Sequence, residues 1–551
     1  MRPAACLGLF LLISLAAACG IYWERRFAGA RRDELPRGAD LASDGLLAGR
    51  VLAGGRAVVG ARVRVQGQAH STLTDEQGRF ELPRLHTVSQ VSLTASKPGY
   101  FIGAATLPAA AETAPAFAEI HLQPLPADDC ERYEWVDPTP DAASPRRCGN
   151  CHREIYDEWK LSGHAAAASN RRLSNLYDGR DGLGLADRGW GLLAEHPHGA
   201  GVCTSCHAPT VEPDDPAFDD LRQVAGIAAQ GVHCDLCHKI RDVSIEHVGL
   251  AHGRFGIDWL RPAEGQIFFG PLDDAARGDD VHSPLQKQSR YCASCHEGIV
   301  FGVPVYTTYS EWLESPARRK GEQCQTCHMT PTGALTNIAP GAGGIDRDPK
   351  TLASHQLLPG GREAMLKKCL KLSVAARPAP ARIDAGIAAG IDIQVELLAR
   401  DVGHCVPTGF IDRHLALAVE AFGAGGQIVD AISGPRLPDA AGRALSGRPG
   451  RLFARLLSDA EGRSPVPFWR AGATFDDTRL APEKPAVNRW TFPAAARKVR
   501  VRLWYRRFWP ETAEAKRWPD DSLLVFERWL GMAEAPLTSS TPAGRASTKS
   551  P

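Results

Sequence analysis

Hydrophobic alternation is clear toward the two ends of the chain and nearly lost in its middle. VGARVRVQG places Val59, Ala61, Val63 and Val65 on one face and Arg62 and Arg64 on the other, the period-two pattern of a half-buried strand. TDEQGRFEL reads as a turn leading into a strand, and VSLTASKPGY as a strand closed by a Pro-Gly turn. Alternation returns in IDIQVELLARDV, in LALAVEAF and in RKVRVRLWYRRF, where Val499, Val501, Leu503 and Tyr505 share a face. Between Cys130 and about Gly361 turns are dense, and only short helical periods survive, as in REIYDEWKLSGH and TYSEWLESPARRKG. The pattern predicts a multidomain chain: a small N-terminal β-sandwich (45–125), a mainly helical and irregular domain (126–377) and a C-terminal β-sandwich (378–532).

The ends add a location. MRPAACLGLFLLISLAAACG carries one early arginine, an apolar run and Ala-Ala-Ala before Cys19, the order of an export signal over residues 1–20. Two alternatives stay open: Cys19 as a lipid-modified first residue, or an uncleaved anchor through Trp23. Either would attach the protein to a membrane, and all three readings place its body in the periplasm or another extracytoplasmic space. Residues 21–44 are polar and read as a linker, and 533–551 are Pro/Ser/Thr-rich and read as a disordered tail. Across 551 residues, 64 Lys plus Arg nearly cancel 63 Asp plus Glu. That balance argues against a nucleic-acid partner.

The 15 cysteines change the picture most. Ten of them fall in five Cys-x-x-Cys-His motifs: Cys148, Cys151 and His152; Cys203, Cys206 and His207; Cys234, Cys237 and His238; Cys292, Cys295 and His296; Cys324, Cys327 and His328. Chance at this chain's Cys and His frequencies gives about 0.01 such motifs. Haem c needs this spacing, because two thiols on one helical turn add to two vinyl groups and the next histidine then faces the iron. Zinc gives no reason for a histidine after every second cysteine, and five units do not pair into tetrahedral sites. Five covalent haem c groups are therefore expected between Cys148 and His328. So many porphyrins in so short a span must form much of the core, lie close together and make folding depend on the cofactor. Some of the many arginines are expected to pair with their propionates.

Each iron has a second face. CGNCHREIYDEWKLSGH offers His164, twelve residues beyond His152, and reads as one continuous helix. At 1.5 Å per residue the two histidines stand roughly 18 Å apart, too far to share one iron. His164 is therefore expected to serve a neighbouring haem. Further candidates are His282 ahead of the fourth motif and one of His196 or His198 ahead of the second, with His247 and His252 in reserve. His233 abuts its own motif and is discounted, and His414 lies in a strand pattern and looks structural. Met329 follows His328 and points away from that iron. Among Cys130, Cys369 and Cys405 one disulfide is open, as is a thiolate role for Cys405.

Two family resemblances accompany these residues. GRVLAGGRAVVGARVRV, TDEQGRFELPRL and SLTASKPGY resemble the carboxypeptidase regulatory-like family, which implies a small β-sandwich spacer or docking module without chemistry of its own. CGNCHREIYDEWKLSGHA, GVHCDLCH and YCASCHEGIVFGVPVYTTYSEWLESPARRKGEQCQTCHM resemble the multihaem cytochrome c family typified by the tetrahaem cytochrome of hydroxylamine oxidation. There the Trp-x-x-Ser-x-His pattern ends in a distal ligand, which maps onto Trp159, Ser162 and His164. SHQLLPG and GHCVPTG resemble two further distal-ligand motifs, at His355 and His404. This chain departs from the tetrahaem pattern in its fifth motif and its flanking β regions. It also lacks a histidine after Trp312 and Ser315, so one distal ligand must come from elsewhere. Five closely spaced, mostly six-coordinate haems imply electron transfer between redox partner proteins. The alternative is an oxidoreductase with one open-faced haem acting on a small nitrogen or sulfur compound. No Cys-x-x-Cys-Lys marks a catalytic haem of the nitrite-reductase kind.

Overall fold

The structure is a computed structural model and describes residues 46–83, 90–108, 116–199, 201–246, 249–381, 389–472 and 475–531. The expected export signal, linker and tail, with Cys19 and His247, lie outside the described residues.

The N-terminal region is strand-rich. Leu46–Ala53 pairs antiparallel with Arg79–Pro83 and parallel with Ala116–His121, and Arg56–Ala57 completes that sheet. Arg62–Val65, Ser71–Leu73, Gln90–Ser96 and Gly103–Pro108 form a second four-stranded sheet. Leu47, Val51 and Phe80 from the first meet Val63, Leu93 and Ala95 from the second in one apolar core. Gly49 is required there, since a Cβ would stand 2.2 Å from the Ala118 carbonyl oxygen and 2.5 Å from the Phe80 ring. Val59 does not join this core and is 50% exposed. Its strand begins only at Arg62, after a turn through Gly60 (φ 65°), and Val58 takes the buried place.

The middle is built of short helices and two-stranded ladders. Each motif sits on its own helical turn: Cys148–Cys151, Gly201–His207, Cys234–Cys237, Arg290–His296 and Cys324–His328. The helix after the first motif runs only over Arg153–Trp159. It stops because the Ser162 hydroxyl accepts the His164 and Ala165 N–H groups, a local turn that competes with the helix. The straight 18 Å strut expected from the sequence is therefore bent at its end.

The C-terminal region is strand-rich again, and its first strand, Leu370–Ala379, starts ahead of the boundary expected at 378. That strand, Gly390–Ala399 and Pro485–Pro493 make a three-stranded antiparallel sheet. His414–Phe422 lies in a second sheet between Lys498–Arg506 and the short strands Ile428–Val429 and Gly450–Phe453, with Leu523–Gly531 at its edge. Val499, Val501, Leu503 and Tyr505 are all buried, as the alternation predicts, and meet Ile393, Leu397 and Trp490 of the first sheet. Burying a side chain such as Phe492 contributes roughly 1.5–3 kcal/mol.

Both flanking regions brace the middle. Arg64 pairs with Asp273 at 2.7 Å, the Gly67 N–H donates to Asp274, and Phe101 packs beside Ile267, Phe269 and Val281. On the other side buried Lys516 donates to the Asn175 and Arg180 carbonyls, and Trp518 donates to the Asn175 side chain. Among the described residues no helix is long and apolar enough to cross a membrane.

Candidate haem-binding site

The five motif helices converge. The Cys148 thiol lies beside that of Cys234, Cys206 beside Cys295, and Cys292 beside Cys324, close enough for each pair to influence one another's titration. Cys237 lies near Cys295 and Cys292 as well. Motifs one and three are thus neighbours, and motif four adjoins two, three and five. Burial pushes the Cys203 thiol up to about 12 and Cys237 to about 11.

Four motif histidines are oriented in the same way. The Nδ1 of His152 lies 2.7 Å from the Ile338 carbonyl oxygen, that of His207 3.1 Å from Ala167, that of His238 2.6 Å from Phe269 and that of His328 3.0 Å from Leu357. A ring that donates Nδ1–H to a carbonyl keeps its lone pair on Nε2, the tautomer a metal ligand needs. Leu357 holds a positive φ of 62° to present its carbonyl, backbone strain spent at the site.

Two histidine pairs face each other. The His164 and His296 rings are 6.1 Å apart between centres, and His328 and His404 are 6.2 Å apart. An iron bonded to imidazoles on both faces at about 2 Å sets ring centres roughly 6 Å apart, so both pairs fit a bis-histidine iron. Burial holds His164 at about 4, helped by the charge of His328, and His296 at about 3, helped by His164 and His328. These imidazoles are neutral at pH 7, as ligands must be.

The two Trp-x-x-Ser units explain how the pairs are placed. Trp159 is buried and donates its indole N–H to the Val232 carbonyl, just ahead of the third motif. Trp312 does the same to Glu322, just ahead of the fifth. The second unit has no histidine, but Gly403 lies against Trp312, where a Cβ would stand 3.1 Å from the indole. Glu311 on the same helix accepts the Cys405 N–H and the Thr408 hydroxyl. The GHC turn is thereby clamped onto this helix, and His404 stands opposite His328. The C-terminal region thus sets a histidine opposite His328 where the second unit has none.

The remaining candidates fall in different places. His355 is held by Glu158, which accepts its N–H at 2.6 Å, and lies close enough to His152 and His238 for their charges to interact. His282 ends the strand Asp280–His282, half-buried among Asp273, Lys287, Arg62 and Arg64. His196 packs on the Phe301 ring at 4.4 Å, and His198 is exposed. Among the described residues neither these last three nor His252 forms a ring pair with a motif histidine. His233 is buried against Trp135, and His414 is buried and stacked on Trp509 at 4.4 Å. Cys130, Cys369 and Cys405 are free thiols. The fixing carbonyls of Ile338, Ala167, Phe269 and Leu357 carry no side-chain signal that sequence reasoning could find.

A partly open cavity adjoins the second motif, with Cys203, Cys206, His207 and His252 in its wall. Beside the third motif, Lys239 is fully buried with Asp235 at 2.5 Å, and its ammonium lies 4.3 Å from the Phe268 ring centre. Among the described residues no three His, Cys, Asp or Glu side chains converge on a bare metal ion.

Paired imidazoles, tautomer-fixing carbonyls and Cys-x-x-Cys-His turns define the middle region as that of a multihaem c-type cytochrome with covalently bound haem. Residues 147–239, which contain the first three motifs, match the family model "Cytochrome c554 and c-prime". Residues 47–120 match the "Carboxypeptidase regulatory-like domain". Among solved structures the chain is similar to a penta-haem cytochrome c552 from Thermochromatium tepidum, at 23% identity and a TM-score of 0.49, over 70% of this chain and 97% of that one. No curated protein sequence matches the chain.

Proposed function

We propose that this chain is an exported multihaem cytochrome c that passes electrons through five closely packed, mostly bis-histidine haems between redox partner proteins. The observation that carries the reading is the contact between thiols of different motifs. Cysteines that touch become thioethers on the edges of two porphyrins, so electrons cross short gaps from motif one to three to four, and on to two or five. The haems supply reversible one-electron chemistry. The protein holds their neutral axial imidazoles, packs them in apolar surroundings and keeps them adjacent. The flanking strand-rich regions act as β-sandwich modules that brace the haem region, and the C-terminal one also supplies His404. The near-balanced charge supports protein partners rather than nucleic acid.

A second reading is an oxidoreductase with one open-faced haem, favoured by the cavity beside His207. Haem stoichiometry by pyridine haemochromogen, followed by carbon monoxide addition to the reduced holoprotein, separates the two. Five haems with an unmoved Soret band support the carrier. A shifted fraction of the band supports the oxidoreductase, and fewer than five haems contradict both.

A further inference from the structure

Resting on the carrier reading, we propose that His252 is the second axial ligand of the haem attached at Cys203 and Cys206, opposite His207. The cavity that contains these residues is walled mainly by apolar and aromatic side chains such as Leu192, Val202, Val305, Phe410 and Trp469, and the Glu297 carboxylate that also lines it already accepts the Ser310 N–H and hydroxyl. Such a wall suits a porphyrin and not a polar substrate.

The Nδ1 of His252 is buried without a hydrogen-bond partner. A buried imidazole nitrogen left unpartnered is costly, and iron bonded at this Nδ1, rather than at Nε2 as for the motif histidines, would supply the partner the polypeptide does not. His207 is already oriented by the Ala167 carbonyl, so the two histidines play complementary parts.

The backbone around His252 is shaped to hold it there. Gly253 adopts φ +61° and abuts the second motif, where a Cβ would stand 2.3 Å from the Ser205 oxygen and 2.9 Å from the Cys206 sulfur. A side chain at 253 is excluded on both grounds. On the other flank Gly298, in the strand Glu297–Val300 after the fourth motif, lies beside the His252 ring, where a Cβ would make an ordinary contact at 3.8 Å. His252 thus follows directly into a backbone turn held against the second attachment turn. His196 is engaged with Phe301 and His198 is exposed, and neither is held against the motif in this way. With His252 bound, the haem at the second motif has no open face, and the cavity is a cofactor seat.

The test uses the full-length holoprotein. In the wild type, electron paramagnetic resonance of the oxidised form shows the haem at Cys203 and Cys206 as low-spin, and carbon monoxide does not bind to it. His252→Ala retains five haems but converts one of them to high spin, and that one binds carbon monoxide. Added imidazole restores low spin. His252→Met, which keeps a ligand of similar reach, replaces one bis-histidine signature by the near-infrared band of a histidine–methionine haem, and it decides the matter if the alanine variant does not fold. An alanine or methionine variant that keeps five haems and an unaltered low-spin spectrum overturns the assignment. So does a wild type in which the haem at Cys203 and Cys206 already binds carbon monoxide. Fewer than five haems in the wild type would instead overturn the carrier reading itself.

Discussion

Asp412 sits two residues before His414 at the entrance to the strand His414–Phe422, and only 2% of it is exposed. One carboxylate oxygen has no hydrogen-bond partner. Burial pushes the carboxyl up from 3.8 to about 8, against a hydrogen bond from Trp509 that lowers it. The folded protein thus holds this carboxyl protonated at pH 7, whereas the unfolded chain releases the proton. Between the two values the folded state binds more protons, so stability falls as pH rises through that window. At pH 7 the gap above 3.8 is about 3.2 pH units, and at about 1.36 kcal/mol per unit the carboxyl costs up to roughly 4 kcal/mol. Asp412→Asn keeps an acceptor for Trp509 and removes the ionisation. The variant should gain on the wild type as pH rises, from little difference near about pH 4 to its full advantage near about pH 8. Guanidinium unfolding of the holoprotein, followed by tryptophan fluorescence across that range, reads the difference. A gap that does not change with pH would mean that Asp412 is ionised in the fold, and the reasoning fails.

His164→Ala should perturb the spectrum of the haem at Cys292 and Cys295 rather than the one at Cys148 and Cys151, because His164 faces His296 at 6.1 Å; site-resolved paramagnetic NMR of the holoprotein checks which haem moves. Gly49→Ala should destabilise the N-terminal region by about 1–3 kcal/mol through its clash with Ala118 and Phe80 while leaving haem content intact, as limited proteolysis and pyridine haemochromogen would report. Lys239→Met leaves buried Asp235 with the Tyr133 hydroxyl and the Val136 N–H but no counter-charge, at a cost of about 3 kcal/mol in a denaturation midpoint. Burial pushes His233 down to about 4 and His414 to about 3, so both are neutral when folded. The unfolded chain binds their protons first, and stability should fall as pH drops below about 6.5 and level off only near the folded values, as a pH series of thermal midpoints would show.

What could be read from the chain and what could not divide along physical lines. The motif cysteines and histidines declare themselves, because covalent attachment imposes a spacing that no other chemistry requires. The strands Lys498–Arg506 and Gly390–Ala399 were legible because one face of each is buried in an ordinary apolar core. The apolar spacing of Ile155 and Trp159 predicts a longer helix after His152 than the structure has, since the hydroxyl turn at Ser162 outweighs it. Alternation predicts Val59 inside because it does not reveal that a turn at Gly60 breaks the pattern. Histidines that face a motif from elsewhere in the chain are the hardest to read, because tertiary packing brings them there. His404 is set opposite His328 by the contact of Gly403 with Trp312, ninety-odd residues away in the chain, and by the Glu311 clamp on Cys405 and Thr408. His252 has no motif at all, and its place rests on a cavity and an unpartnered nitrogen.

The central claim is that five haems in contact form one electron-carrying array. A redox titration of the holoprotein, followed at once by optical absorbance and electron paramagnetic resonance, tests it most directly. The account predicts five electrons taken up in a broad transition that independent one-electron centres do not fit, with low-spin signals broadened by coupling between neighbouring irons. Five narrow, mutually independent signals, or fewer than five electrons, would contradict it.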